Sequence, residues 1–104
     1  MSLDDLKTQL LSVCPEVHHL AAPEGVDEYI VYHRYSEVPA IGDDAVCLSI
    51  PMAQLDIITQ DPDAELADRV KELLVELGIV WFEAGYGYDD DWAAIRCVLQ
   101  FALD

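Results

Sequence analysis

An amphipathic helix with a start and a stop signal, set between two apolar strand-like stretches, constrains this chain more than any other feature. Asp61 is suited to cap the helix N-terminus, and Pro62 suits the first helical position, where its missing amide proton would be unpaired anyway. Gly78 supplies the C-terminal stop. Between them Leu66, Val70, Leu73, Leu74 and Leu77 fall on one helical face, which predicts a helix over residues 62–77 with that face buried. The opposite face carries Asp63, Glu65, Asp68, Arg69, Lys71, Glu72 and Glu76, a composition suited to water. Glu65 and Arg69 form an i, i+4 pair in the favourable order, worth about 0.3–0.5 kcal/mol when exposed.

The flanking segments complete the pattern. Leu3, Leu6, Leu10, Leu11 and Val13 recur at helical spacing after Ser2, with Asp5 in the position of a weak capping box, so a first helix is expected over residues 3–13. Cys14-Pro15 should end it, because the residue before proline is pushed out of the helical region. Residues 15–27 read as irregular, with His18, His19 and Leu20 adding at most a short turn. Residues 28–35, E-Y-I-V-Y-H-R-Y, are aromatic and β-branched and predict a strand. Residues 36–44 read as a loop, 45–50 as a short edge piece before Pro51, and 53–59 as a main strand. A strand over 79–83, a hairpin connection over 84–91 and a strand with period-two alternation over 92–103 follow. The expected fold is a single α+β domain spanning residues 1–104. It would be a two-layer sandwich with a mostly antiparallel sheet of about four strands and two helices on one face.

Charge narrows the function classes. Five Lys and Arg against 21 Asp and Glu give a formal charge of −16, while 53% of residues are apolar. The chain is therefore expected to be folded and acidic, and sequence-specific nucleic-acid binding is not expected, because phosphates would be repelled. Mutual repulsion would keep copies apart until a partner or template brings them together. No apolar run approaches the roughly 20 residues that cross a bilayer as a helix, so no membrane role is expected. The cysteines Cys14, Cys47 and Cys97 are odd in number and unpatterned, and no secretory signal is evident, which reads as reduced thiols in a cytoplasmic setting.

No catalytic constellation is legible, and neither an enzyme activity nor a cofactor is expected. His18 and His19 are adjacent and would diverge, and His33 lies far away in a strand, so no metal site is expected. Cys97 shares a strand face with Ile95 and Leu99, opposite to Arg96, which reads as core filling; Cys14 and Cys47 also read as packed thiols. Asp89, Asp90 and Asp91 lack the spacing of a calcium loop and read as a solvated hairpin tip. Gly85-Tyr86-Gly87 precedes no helix and is not a phosphate loop. What stands out is the surface: Trp81, Phe82, Tyr86, Tyr88 and Trp92 cluster near acids and glycines, a composition enriched at protein interfaces.

A strand of the A-Q-L-D-I-I type runs into a D-P-D-A-E-L helix, then G-I-V-W-F, a G-Y-G-Y-D-D-D turn and a closing strand. With the N-terminal helix and aromatic strand before it, this layout resembles the tail completion or tail terminator proteins of long-tailed bacteriophages over almost the whole chain. The resemblance implies a phage or prophage virion component, assembled in the host cytoplasm. Such a protein halts polymerisation of the tail tube and presents a surface to the head connector proteins, several members acting as hexameric rings. It implies no catalytic residues. The loops at 36–44 and 86–91 would then be contact regions, making Asp43, Asp44, Tyr86, Tyr88, Asp89, Asp90, Asp91 and Trp92 the candidate interface residues. The alternative reading is a small acidic inhibitor or immunity-type module that blocks a basic enzyme.

Overall fold

In a computed structural model of the chain, residues 2–37, 50–61, 63 and 65–103 are described. Their fold is mixed α+β: two helices, α1 (Leu3–Leu10) and α2 (Leu66–Glu76), and five strands. The strands are β1 (Val17–His19), β2 (Glu28–Glu37), β3 (Ile50–Thr59), β4 (Trp81–Asp89) and β5 (Ala94–Ala102). They form one sheet in the order β1-β2-β3-β5-β4, antiparallel throughout except for the parallel β1–β2 pair.

Alternation along the strands divides the sheet into two faces. On one, Ile30 and Tyr32 of β2, Ala53, Leu55 and Ile57 of β3, and Cys97, Leu99 and Phe101 of β5 pack against Leu6 and Leu10 of α1 and Leu66, Val70 and Leu74 of α2. Both helices therefore lie on this face, as their apolar stripes require. The opposite face carries a smaller cluster, Tyr29, Val31, Ile58 and Ala94, with Val26 and Trp92 against it. No helix covers that second face among the described residues.

The helix ends differ from expectation at one terminus and agree at the other. α2 begins at Leu66, four residues later than the spacing predicts. The Asp61 carboxylate accepts from the Asp63 amide at 2.9 Å, and this local turn competes with helix initiation. Glu65 occupies the cap position without a side-chain hydrogen bond, and Pro62 lies outside the described residues. At the other end Gly78 takes φ +75°, the Gly78 amide donates to the Val75 carbonyl at 3.0 Å, and the Ile79 amide donates to the Leu74 carbonyl at 2.9 Å. That is a Schellman stop, and it drops Ile79 onto the core. In α1 the Ser2 hydroxyl accepts from the Asp5 amide at 3.2 Å, and residues 11–13 form turns rather than more helix.

Strand boundaries are corrected at several points: β2 runs on to Glu37, into the stretch expected as a loop, and β5 opens at Ala94 rather than at residue 92. Residues 17–19, expected to add at most a turn, form β1, because the Ile30 amide donates to the Glu16 carbonyl and the Leu20 amide to the Tyr32 carbonyl. Pro51 lies inside β3; its carbonyl accepts from the Leu103 amide at 2.8 Å, and pairing with β5 starts only at Met52, so no ladder bond needs a donor there. The expected edge piece at 45–50 falls outside the described residues apart from Ile50, which opens β3. The stretch expected as a hairpin connection, 84–91, is mostly strand. β4 runs to Asp89, and the turn is residues 90–93, with Ala93 at φ 50°. A bulge between Glu83 and Gly85 absorbs one extra residue, and Gly87 adopts φ +153°, so two glycines that look like turn residues serve an irregular edge strand.

Candidate interaction surface

The β4–β5 register decides which side chains of β4 face which way. Trp81, Glu83, Tyr86 and Tyr88 stand opposite Phe101, Leu99, Cys97 and Ile95 on the helix side. Phe82, Gly85, Gly87 and Asp89 stand opposite Gln100, Val98, Arg96 and Ala94 on the open side. The outer edge of β4 pairs with no other strand, and none of its residues makes an additional backbone hydrogen bond among the described residues.

On the helix side, Lys71 of α2 donates to Glu83 at 2.8 Å and lies 5.4 Å from the Trp81 ring centroid. Their hydrogen bond raises the Lys71 pKa and holds the Glu83 carboxyl below its ordinary range. The Cys97 thiol lies 3.6 Å from the same carboxylate. Burial pushes this thiol up to about 11, against which the nearby Lys71 charge is insufficient. Cys97 is thus held as a thiol rather than poised as a nucleophile. Burial likewise raises Cys14, and Cys47 lies outside the described residues. Beside these groups a shallow groove of about 410 Å³ runs between α2 and β4, lined by Lys71, Glu72, Val75, Glu76 and Trp81. Val75 is 65% exposed and Val80 is 90% exposed at its end.

The open side carries a polar ladder across three strands. Gln100 donates to Gln54 at 2.9 Å, Gln54 donates to Asp56 at 3.2 Å, and Arg96 donates to Asp56 at 3.1 Å and to Asp89 at 3.3 Å. Asp56 is buried, and the Arg96 guanidinium lies over Trp92, 5.5 Å from its centroid. Trp92 in turn sits 6.1 Å from Tyr29, whose pKa is raised by burial and by the Asp56 charge. Beside the ladder, Gly85, Tyr86, Gly87, Tyr88, Asp89, Arg96 and Val98 line a cleft of about 210 Å³.

The candidate interface residues thus separate. Tyr86 and Tyr88 are largely exposed, and Asp90 and Asp91 are exposed in the turn. Asp89 is instead tied to Arg96 and accepts from the Asp91 amide at 2.9 Å, while Trp92 is half-buried on the small cluster. Asp43 and Asp44 lie outside the described residues. Val75 and Val80 were missed by sequence reasoning. Val75 falls off the buried stripe of α2, and an apolar residue among the helix acids was the available signal.

The histidines also separate. His18 meets Glu16 at 2.7 Å, an i, i+2 contact that the extended backbone entering β1 brings onto one side of the chain. His19 stacks on Tyr32 at 4.9 Å. Among the described residues no group of three or more His, Cys, Asp or Glu could hold a metal ion, and no helix is long and apolar enough to cross a membrane. The sequence matches no known protein-family profile and no curated protein.

Proposed function

We propose that this chain is a structural assembly protein of the tail terminator type. It caps the tail tube of a phage or prophage, joins it to the head connector proteins, and works as a ring of copies within the virion. The observation that carries the assembly reading is the long β4 edge, unpaired among the described residues and bearing exposed Phe82, Tyr86 and Tyr88. The choice of tail terminator among assembly proteins rests on the sequence resemblance over the helix, the preceding strand and the closing hairpin. Two groups of this surface are committed to packing within the chain: burial keeps the Cys97 thiol protonated, and Arg96 is held by two carboxylates.

The test is sedimentation and negative-stain microscopy of the protein mixed with tail tube protein. Rings at tube ends and arrested tube growth are expected. If neither rings nor capped tubes form across the accessible concentration range, the reading fails. A second reading, an acidic inhibitor of a basic enzyme, is favoured by exposed Asp4, Asp5, Asp68, Glu72 and Glu76 on the two helices. It predicts recovery of a basic enzyme whose activity falls on binding.

A further inference from the structure

We infer that the outer edge of β4, unpaired among the described residues, is a docking site for an extended protein segment that alternates basic and apolar residues and adds to the sheet as a further strand. The inference rests on the assembly reading in treating β4 as a contact surface, and it names the chemistry of the partner. Natural sheet edges are blunted by brevity, by lysine or proline, by inward-pointing charge or by bulges; β4 carries Glu83 and one bulge at Glu83/Gly85, beyond which residues 85–89 keep a regular register with β5. At the far edge β1 is three residues long. β4 has nine residues, and residues 80–91 contain no Lys, Arg or Pro.

The two faces of β4 set what the added strand must carry. On the helix side Trp81, Tyr86 and Tyr88 offer aromatic surface, with Tyr86 64% and Tyr88 67% exposed, which suits apolar side chains on alternate partner positions. On the open side Gly85 and Gly87 leave the cleft beside Asp89 and Arg96 unfilled. A Cβ added at either glycine would meet nothing within 4 Å; Gly87 is required by its φ of +153°, whereas neither packing nor a positive φ requires glycine at 85. Long partner side chains can lie across these glycines. The charges they would meet are Asp89, Asp90 and Asp91, and Arg96 already engages Asp89 and Asp56, leaving the local balance negative. Lysine or arginine fits that position.

A second copy of this chain does not fit as well. Each copy carries −16, and a β4–β4 pair would bring Glu83 and Asp89–Asp91 of two molecules together with no basic residue in either strand.

The probe is the heptapeptide Lys-Val-Lys-Val-Lys-Val-Lys, followed by amide hydrogen exchange and NMR titration of the full chain. Residues 81–89 are expected to exchange at least about tenfold more slowly with peptide bound. Binding should fall steeply by about 1 M salt, where charges more than about 3 Å apart are screened. The same peptide with proline in place of valine keeps the charge but cannot join a ladder, and should bind at least about tenfold more weakly. Tyr88→Lys should weaken the Lys-Val peptide by a similar factor with an unchanged melting temperature, since Tyr88 is exposed.

Equal binding of the proline peptide would reduce the effect to charge adsorption and overturn the inference. So would protection of β4 that rises with protein concentration alone, since that makes a second copy the occupant. Tube capping separates the two proposals. Capping without peptide binding overturns only this one, and peptide binding without capping overturns only the tail terminator reading.

Discussion

Replacing Arg96 with methionine tests whether the open-face ladder stabilises the fold or merely decorates it. Asp56 is 5% exposed and its Oδ1 accepts from Arg96 at 3.1 Å and from Gln54 at 3.2 Å. Breaking a fully buried ion pair costs about 3–5 kcal/mol, because one charge is left without compensation. Here the Arg96 side chain keeps 29% exposure and Gln54 still donates to the same oxygen, which reduces the expected loss to about 2 kcal/mol. For a domain of this size that corresponds to a fall in Tm of about 9 °C. Asp56→Asn retains an acceptor and leaves Arg96 paired with Asp89, so about 1 kcal/mol is expected. The double variant leaves neither member of the pair charged and buried, and its loss should be about 1.5 kcal/mol, well short of the sum. Urea unfolding followed by tryptophan fluorescence reads these differences, with Trp92 beside Arg96 as a local reporter. A loss below about 0.5 kcal/mol for Arg96→Met, or strict additivity in the double variant, would refute the argument.

Charge placed in α2 should discriminate between adjacent leucines. Leu74→Asp sets a carboxylate at a fully buried position and should cost more than about 4 kcal/mol, abolishing the helical circular dichroism signal. Leu73→Asp, at the rim of the core, should cost about half as much and leave a folded protein; equal effects would contradict the partial burial of Leu73 beside the fully buried Leu74. Cys97, with its pKa pushed up to about 11 from 9.0, should react with iodoacetamide at pH 8 about a hundredfold more slowly in the folded chain than in urea. Because the folded pKa is the higher one, this contribution to stability is present below pH 9 and is lost as pH rises toward 11. Cys14 shifts in the same direction. A melting temperature that rose between pH 9 and 11, or rapid labelling of Cys97 without denaturant, would count against its burial.

Much of the fold was legible from periodicity. The apolar stripe of α2, the Gly78 stop, the aromatic strand β2 and the alternation of β5 each record a local environment in residue spacing, because one buried face selects apolar residues at the period of the element. The α+β class and the placement of both helices on one face followed from those elements. The start of α2 was misread because Asp61 can serve equally well as a helix cap or as the first residue of an Asx turn, and sequence does not distinguish them. β1 escaped notice because three residues carry too little pattern, and its parallel pairing exists only once β2 is beside it.

The candidate surface shows the same division more sharply. Sequence alone identified a zone rich in aromatics, glycines and acids near residues 81–92. It read the glycines as a turn, since Gly-Tyr-Gly-Tyr-Asp carries turn residues at every second position. Tertiary structure decided that these residues form an edge strand, that Asp89 belongs to an Arg96 ladder, and that Trp92 packs inward while Tyr86 and Tyr88 remain outside. Those outcomes depend on which strand lies next to β4 and on a one-residue bulge that resets its facing. Both are properties of long-range pairing, and local spacing does not encode them.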